Sequence, residues 1–442
     1  MVLDEQQVKR VAQAYVYGYP LVYNLEEIAK LGDGTAMVKT DGWNVFGAAR
    51  ALLGPEAAFV SPNNDTLYLL AACDVRNGPL VLEVPDTHDR YYVLQFVDAW
   101  TNNFAYVGRR ATGTRPGRFL LAGRGYDGPV PDGMPLIEAP TGVFAIVGRV
   151  QVNGIADLPA VHALQDAFSL RPLDGASAPV GLPVPDPAVP DALAWWERFR
   201  VGFEAFPPPT EDAQFLHGLD ALGLTAPGSP LVDADPALAE LLAAGAIQGQ
   251  AMIEGLATNT SGDVDGWTTA MHLFDYNLDR CGPGTIDAPE WKIPDRSKAY
   301  AVRAMAARAG LWGNHGYEAD YLLAWKDADG EALDGANRYE LRLETPPPVD
   351  AFWSLTMYDV PKFYLVANPI DRYSIGDRTP GLVVADDGSI TIRMSHASPG
   401  ADLEPNWLPA PAGPFRPVLR LYQPRQAVLD GTYRVPPIRR VG

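Results

Sequence analysis

The chain has 442 residues, about three times the usual size of one domain, so we expect at least two domains. Hydrophobic residues make up 47% and charged residues 20%, a composition that can bury a large core and argues against disorder. The net charge of −19 would repel phosphate backbones, which excludes nucleic acid as a partner. With only Cys73 and Cys281 present, no disulfide framework supports the fold.

The first predicted element is a helix over residues 4–31, in which Val11, Tyr15 and Tyr19 share one face at helical spacing. Pro20 is expected to kink this helix or restart it. The amino terminus has no basic, apolar leader, and no stretch approaches the roughly 20 apolar residues of a membrane span. We therefore expect a cytoplasmic protein that makes no contact with a membrane.

Short extended runs separated by turn signals fill residues 61–152 and return after residue 320. The 42 glycines and 41 prolines fit many short strands joined by tight turns. The sequence therefore predicts an α+β, β-rich fold. Its parts are an N-terminal helix (1–32), a first β domain (33–170), a Pro/Ala-rich connector with a helical insert (171–295) and a second β domain (296–442).

The two strand-rich regions resemble each other. The tetrapeptide YLLA at 68–71 recurs at 321–324, and residues 80–98 align without gaps to 341–359 with 7 identities in 19 positions. A later match pairs Phe144, Val147 and Arg149 with Phe415, Val418 and Arg420. Because these matches keep their order and include turn and charged residues, they indicate an internal duplication. We predict two related antiparallel β domains, each a sandwich or an open barrel.

Two carboxylates stand at the ends of apolar strand faces. Asp98 continues the face of Leu94 and Phe96, and Asp65 opens the face of Leu67. Such an acid either ties a loop through hydrogen bonds or lines a pocket. If both strand ends open into one cleft, the two carboxylates couple and can serve as a general acid and a general base.

The motifs of metal and cofactor binding are missing from the sequence. The six histidines are scattered, and none forms H-E-x-x-H or another pair at metal-ligand spacing. There is no nucleophile elbow, no P-loop and no dinucleotide-binding turn after a strand. We therefore predict neither a metal nor an organic cofactor. The short polar side chains at 61–66 leave an oxygen-bound Ca²⁺ or Mg²⁺ open as an alternative.

Several motifs resemble a known family. The amino-terminal ones resemble the module called domain of unknown function 1254: VYGYPL at 16–21, NNDTLY at 63–68 and DAWTN at 98–102. The later ones resemble its companion, domain of unknown function 1214: FWSLTMYD at 352–359, RYSIG at 372–376, DDGS at 386–389 and NWLPAP at 406–411. The resemblance implies a tandem β-rich architecture with helical additions. It implies no established reaction.

The function we predict is therefore based on the residues themselves. One hypothesis is an enzyme without organic cofactor that uses carboxylate acid–base chemistry on a small, partly apolar molecule, by hydrolysis, elimination or isomerisation. Its predicted catalytic residues are Asp98, Asp65 and Tyr68, and its predicted substrate-binding residues are Asn64, Trp100, Asn103, Arg110, Tyr358, Arg372 and Trp407. The alternative is a non-catalytic binding protein for a sugar-like or lipid-like ligand. A small molecule is the expected partner in both cases, and a homo-oligomer is compatible with either.

Overall fold

A computed structural model describes residues 3–57, 60–175, 178–225, 228–258 and 263–442. Parts of the predicted connector and helical insert (176–177, 226–227 and 259–262) lie outside the described residues. The α-helices in the described part of the chain are α1 (Glu5–Gly32), α2 (Leu158–Ala167), α3 (Ala194–Ala205), α4 (Ala213–Asp220), α5 (Pro236–Ala257), α6 (Arg296–Gly310) and α7 (Gln426–Leu429). None of them is both long enough and apolar enough to cross a membrane.

The long helix α1 begins where the Asp4 side chain accepts the backbone N–H of Gln6 at 3.0 Å. It continues through Pro20 as one helix, so the expected restart does not occur. Its buried face packs against α3, α5 and α6, and Leu21 and Ile28 are fully buried there. This helical layer covers part of one sheet of the first β domain.

The first β domain is a sandwich of two sheets. Its strands are β1 (Gly47–Ala48), β2 (Thr66–Asp74), β3 (Leu80–Val84), β4 (Tyr92–Asp98), β5 (Asn103–Gly108), β6 (Gly117–Gly123), β7 (Leu136–Ala139), β8 (Val143–Gln151) and β9 (Ser169–Pro172). The larger sheet has the order β1-β2-β8-β4-β5 and the smaller one β7-β6-β3-β9. Alternate apolar residues of the two sheets, such as Leu69 and Leu94 against Leu82 and Leu121, form the core between them.

The second β domain repeats this arrangement. Its strands are β10 (Trp267–Thr269), β11 (Ala319–Ala324), β12 (Arg338–Leu343), β13 (Val349–Asp359), β14 (Ser374–Gly376), β15 (Ile390–Ser395), β16 (Trp407–Pro409), β17 (Phe415–Pro424) and β18 (Arg439–Val441). The sheets have the orders β10-β11-β17-β13-β14 and β16-β15-β12-β18, which match those of the first domain strand for strand. The predicted α+β fold with two related β domains is confirmed.

Strand register supports the duplication residue by residue. Tyr68 lies opposite Arg149, as Tyr321 lies opposite Arg420. Two details of the prediction are wrong. In each smaller sheet one pair is parallel rather than antiparallel, β6 with β7 and β15 with β16. The second domain also begins before residue 296, because β10 pairs with β11.

The larger sheets of the two domains face each other through their outer faces. Tyr91 of the first domain contacts Phe352 and Tyr422 of the second, with ring centroids 5.4 and 5.7 Å apart. Buried side chains from both domains form this contact. Part of the face that each sandwich core leaves free is therefore buried between the domains, and the helical layer covers another part in the first domain.

Candidate functional site

A cavity of about 90 Å³ lies between the two larger sheets, and equivalent residues of both domains line it. The first domain contributes Tyr68 and Arg149, and the second contributes Tyr321 and Arg420. Each guanidinium lies over the tyrosine opposite it, at 5.6 Å for Tyr68 and 5.9 Å for Tyr321. A wider cleft of about 910 Å³ adjoins the cavity, and Trp312 lines both spaces. The duplication thus places two Tyr–Arg pairs around one cavity.

Both arginines bind the loop that precedes the first long strand of the opposite domain. Arg149 donates to the Trp312 carbonyl at 2.8 Å, and Arg420 donates to the Ser61 carbonyl at 2.8 Å. Ser61 and Trp312 have φ values of 48° and 64°, in the left-handed region that non-glycine residues seldom occupy. These reciprocal hydrogen bonds hold the two domains around the cavity.

A third arginine, Arg416, is 1% exposed and has little to compensate its charge. Its Nη2 donates to Ser61 Oγ at 2.6 Å, whereas Nε and Nη1 have no hydrogen-bond partner. The guanidinium lies 3.9 Å from the Phe363 ring and 5.1 Å from the Trp325 ring. Burial lowers its pKa to about 9.

The cavity is cationic although the chain is acidic. Within the described ranges, none of Arg149, Arg416 and Arg420 forms an ion pair, and no lining residue is acidic. The amide nitrogen of Asn63, which also lines the cavity, is buried without a partner. Unpaired buried cations and donors favour an anion with free acceptor atoms.

Asp65 binds across the domain interface. Its carboxylate accepts the Tyr422 hydroxyl at 2.8 Å and the Ser354 hydroxyl, both from the second domain. Glu318 has the equivalent position before β11 and accepts the hydroxyl of Tyr91, in the first domain, at 2.9 Å. Burial raises the pKa of Glu318 to about 7. The two acids form reciprocal contacts between the domains, beside the cavity rather than in its wall.

Asp98 ties a loop. Its carboxylate accepts the backbone N–H groups of Trp100 and Asn102 at 2.9 and 2.8 Å and the side-chain amide of Asn102 at 2.8 Å. Burial raises its pKa. β2 and β4 both pair antiparallel with β8, so they run parallel to each other. The residue before β2, Asp65, and the last residue of β4, Asp98, therefore lie at opposite ends of the strands, roughly 26 Å apart along the direction of β8. The prediction that they share one cleft is wrong.

Three other predicted residues lie at the cavity or beside it. Tyr68 lines it directly. Tyr358 has its ring 5.5 Å from the Arg420 guanidinium, and its hydroxyl donates to the Pro62 carbonyl. Asn103 donates to the carbonyl of Gly313, a lining residue, at 3.0 Å. These positions would let Tyr358 and Asn103 orient the wall of the cavity.

Arg110 joins the two domains and does not line the cavity. It donates to the carbonyls of Tyr317 and Pro424, both in the second half of the chain. Arg378 holds the equivalent position after β14 and donates to the Val152 carbonyl at 2.6 Å. All its described contacts therefore indicate a structural role for Arg110, in place of the predicted role in substrate binding.

The remaining predicted residues bind backbone carbonyls outside the cavity. Trp100 donates to the Phe206 carbonyl at 2.8 Å, and Asn64 donates to the Leu53 carbonyl. Arg372 donates to the carbonyl of Trp407 at 2.9 Å, and the Trp407 indole donates to the Ser395 carbonyl at 3.0 Å. The polar groups of these loops therefore serve as hydrogen-bond donors to backbone carbonyl groups. In the part of the chain that the structure describes, no three His, Cys, Asp or Glu side chains converge as metal ligands.

Sequence reasoning missed Arg416 and gave no role to Arg149 or Arg420. Each lies within a strand that is buried along almost its whole length. An arginine inside such an apolar run needs a specific partner, because a buried charge is costly. Arg149 and Arg420 also occupy matching positions of the two repeats, which is a signal that the sequence does contain.

Two β sandwiches that enclose one cationic cavity define the class, a tandem two-domain β protein with an inter-domain pocket. Residues 43–172 match the family described as protein of unknown function DUF1254, and residues 318–426 match protein of unknown function DUF1214. The chain belongs to the proteins that carry these two domains in tandem.

Two crystal structures resemble this chain. The VPA0106 protein from Vibrio parahaemolyticus is 25% identical, with a TM-score of 0.70 over 99% of this chain and 100% of that one. An uncharacterized protein from Burkholderia cenocepacia is 12% identical, with a TM-score of 0.47 over 99% of this chain and 93% of that one. A comparison with curated proteins gave no match.

Proposed function

We propose that this protein binds a small organic anion in the inter-domain cavity, with the carboxylate of the ligand against Arg416. The observation that carries the proposal is the buried guanidinium of Arg416, which has two unpartnered nitrogen atoms and no ion pair in the described chain. Arginine recognises carboxylates through charge-assisted hydrogen bonds, often two in parallel. A carboxylate would supply both the missing acceptors and the missing charge.

The rest of the lining indicates the body of such a ligand. Leu273, Phe274, Leu311, Leu323 and Val418 give the cavity apolar walls. Small-molecule sites commonly combine such walls with a few polar groups that fix orientation. Because the net charge of −19 opposes the approach of anions, affinity must come from local contacts. The ligand we propose is a short carboxylic acid with an apolar chain.

A binding role agrees better with the geometry than carboxylate acid–base catalysis does. Asp98 hydrogen-bonds its own loop at the far end of the strands, and Asp65 is engaged by two hydroxyls across the interface. Asp98 is therefore not available beside Asp65 as the catalytic partner that the sequence predicted. The cytoplasmic location that the sequence led us to expect is kept as part of this proposal.

The test compares butyrate with butyramide, which has the same shape and no charge, by isothermal titration. We expect butyrate to bind and butyramide to bind much more weakly. In Arg416→Met, butyrate affinity should fall roughly 10- to 100-fold, because charge-assisted hydrogen bonds to a buried group are lost. The melting temperature of the ligand-free variant should stay the same or rise, since an unpaired buried cation is costly.

Arg372→Met is the matched control, because Arg372 hydrogen-bonds loop carbonyls outside the cavity. It should lower the melting temperature and leave butyrate affinity unchanged. Equal binding of butyrate and butyramide would contradict the proposal. So would an Arg416→Met protein that melts at a lower temperature and still binds butyrate normally.

A further inference from the structure

The cavity contains two tyrosine hydroxyl groups whose protons have no acceptor. Tyr68 and Tyr321 occupy equivalent positions of the two repeats, one in each wall. The Tyr321 oxygen accepts the backbone N–H of Asn314 at 3.1 Å and its side-chain amide at 3.2 Å. The Tyr68 oxygen accepts the backbone N–H of Asn63 at 3.3 Å.

Each of the two hydroxyl groups keeps a proton that it can still donate. A phenol donates one hydrogen bond and accepts through its oxygen. Since both oxygens already accept N–H groups, each hydroxyl still has its proton to donate, and no residue in the described chain accepts either proton. A buried donor without an acceptor costs free energy, so these protons need an acceptor from whatever fills the cavity.

The described residues that line the cavity have three more side-chain nitrogen atoms that are buried without a partner, and all three are donors. They are Nε and Nη1 of Arg416 and Nδ2 of Asn63. Among the described acceptors nearby, Asn63 Oδ1 accepts three hydrogen bonds and Ser61 Oγ accepts one from Arg416. Oδ1 of Asn314 is buried without a partner, but Asn314 does not line the cavity. A wall of donors selects a ligand that is rich in acceptors and carries no donors of its own.

We infer that the ligand is an oxo-carboxylic acid, whose carboxylate binds Arg416 and whose carbonyl oxygen accepts the Tyr68 and Tyr321 hydroxyls. This inference rests on the proposed function and makes its ligand class specific. A carbonyl oxygen has two lone pairs and can accept from both hydroxyls. Hydroxy acids, amino acids and sugars bring donors that this cavity leaves unpaired.

The experiment titrates the protein with 2-oxobutyrate, 2-hydroxybutyrate and butyrate. We expect 2-oxobutyrate to bind about 10-fold tighter than butyrate, because it gains two neutral hydrogen bonds. Tyr321→Phe and Tyr68→Phe should each lower 2-oxobutyrate affinity about 3- to 10-fold, a larger loss than either variant causes for butyrate. The double variant should bind the two acids equally well.

Tyr339→Phe is the matched control. The Tyr339 hydroxyl accepts the backbone N–H of Asp334 and the amide of Asn337, both at 3.2 Å, but this tyrosine lies in the core of the second domain. Its removal should not change the preference for 2-oxobutyrate. Near-ultraviolet circular dichroism checks that each variant keeps its native packing.

The outcomes separate the two proposals. If butyrate and 2-oxobutyrate bind equally and the Tyr→Phe changes have no effect, the oxo-acid inference is overturned and the proposed anion-binding function stands. Tighter binding of 2-hydroxybutyrate than of 2-oxobutyrate, or equal losses for all three acids in Tyr321→Phe, would also overturn it. If none of the acids binds, the proposed function itself fails.

Discussion

Replacing Asp65 with alanine is expected to lower the free energy of unfolding by about 3–5 kcal/mol, because it removes a buried carboxylate that accepts two hydroxyls and offsets the charge of nearby buried cations. Asp65 is 5% exposed and accepts the hydroxyls of Tyr422 and Ser354. Burial lowers the pKa of Arg378, and the Asp65 charge opposes that lowering. The same charge contributes to the raised pKa of Arg420, against the effect of burial. Urea unfolding of the wild type and the variant measures the difference.

Two further variants sharpen this test. Asp65→Asn keeps an acceptor for one hydroxyl but loses the charge, so we expect an intermediate loss of stability. Asp402→Ala removes an exposed carboxylate and should change the free energy of unfolding by less than about 0.5 kcal/mol. An Asp65→Ala protein as stable as Asp402→Ala would show that Asp65 does not hold the interface together.

Replacing Glu318 with glutamine is expected to remove a pH dependence of stability. The folded pKa of Glu318 is raised to about 7 by burial, opposed by the Tyr91 hydrogen bond and by Arg110, Arg149 and Arg109. Between the ordinary glutamate pKa of 4.5 and pH 7, the folded protein therefore holds a proton that the unfolded chain has released. The contribution of Glu318 to the free energy of unfolding is therefore fully present below about pH 4.5. It is lost as pH rises to 7 and above, by about 3 kcal/mol in total.

The measurement is urea unfolding of the wild type and Glu318→Gln at intervals from pH 5 to pH 8. Glutamine stays neutral and can still accept the Tyr91 hydroxyl. The free energy of unfolding of the variant should therefore increase relative to that of the wild type as pH rises. Asp320, whose pKa burial also raises to about 7, is present in both proteins and cancels in the difference. Glu138→Gln, at an exposed position, should follow the wild type. A stability difference between wild type and Glu318→Gln that does not change with pH would contradict the assignment.

More of the fold than of the candidate site could be predicted from the sequence. The repeat was visible because strands that occupy equivalent places keep the same pattern of apolar, turn and charged residues. Tyr68 and Tyr321, matched in sequence, do lie in equivalent strands with equivalent partners. The parallel pairs in the smaller sheets were not visible, because side-chain alternation is the same for both strand directions.

The prediction that Asp65 and Asp98 share one cleft was wrong because, here too, the sequence pattern does not reveal strand direction. Alternation shows on which face Asp65 and Asp98 lie, but not that β2 and β4 run in the same direction on either side of β8. Asp98 and Arg372 illustrate a second limit of sequence analysis. A polar side chain at a strand end can either hydrogen-bond the loop backbone or line a pocket, and only its hydrogen-bond partners distinguish the two roles.

The two halves of the cavity differ at one decisive position. The repeat alignment places Ala145 where the second domain has Arg416, and the register agrees, because Ala145 lies opposite Val97 as Arg416 lies opposite Tyr358. Two identical subunits around a two-fold axis would present this arginine twice. Because the two halves of this chain differ here, the proposed function predicts that a bound anion has a single orientation and a stoichiometry of one per chain.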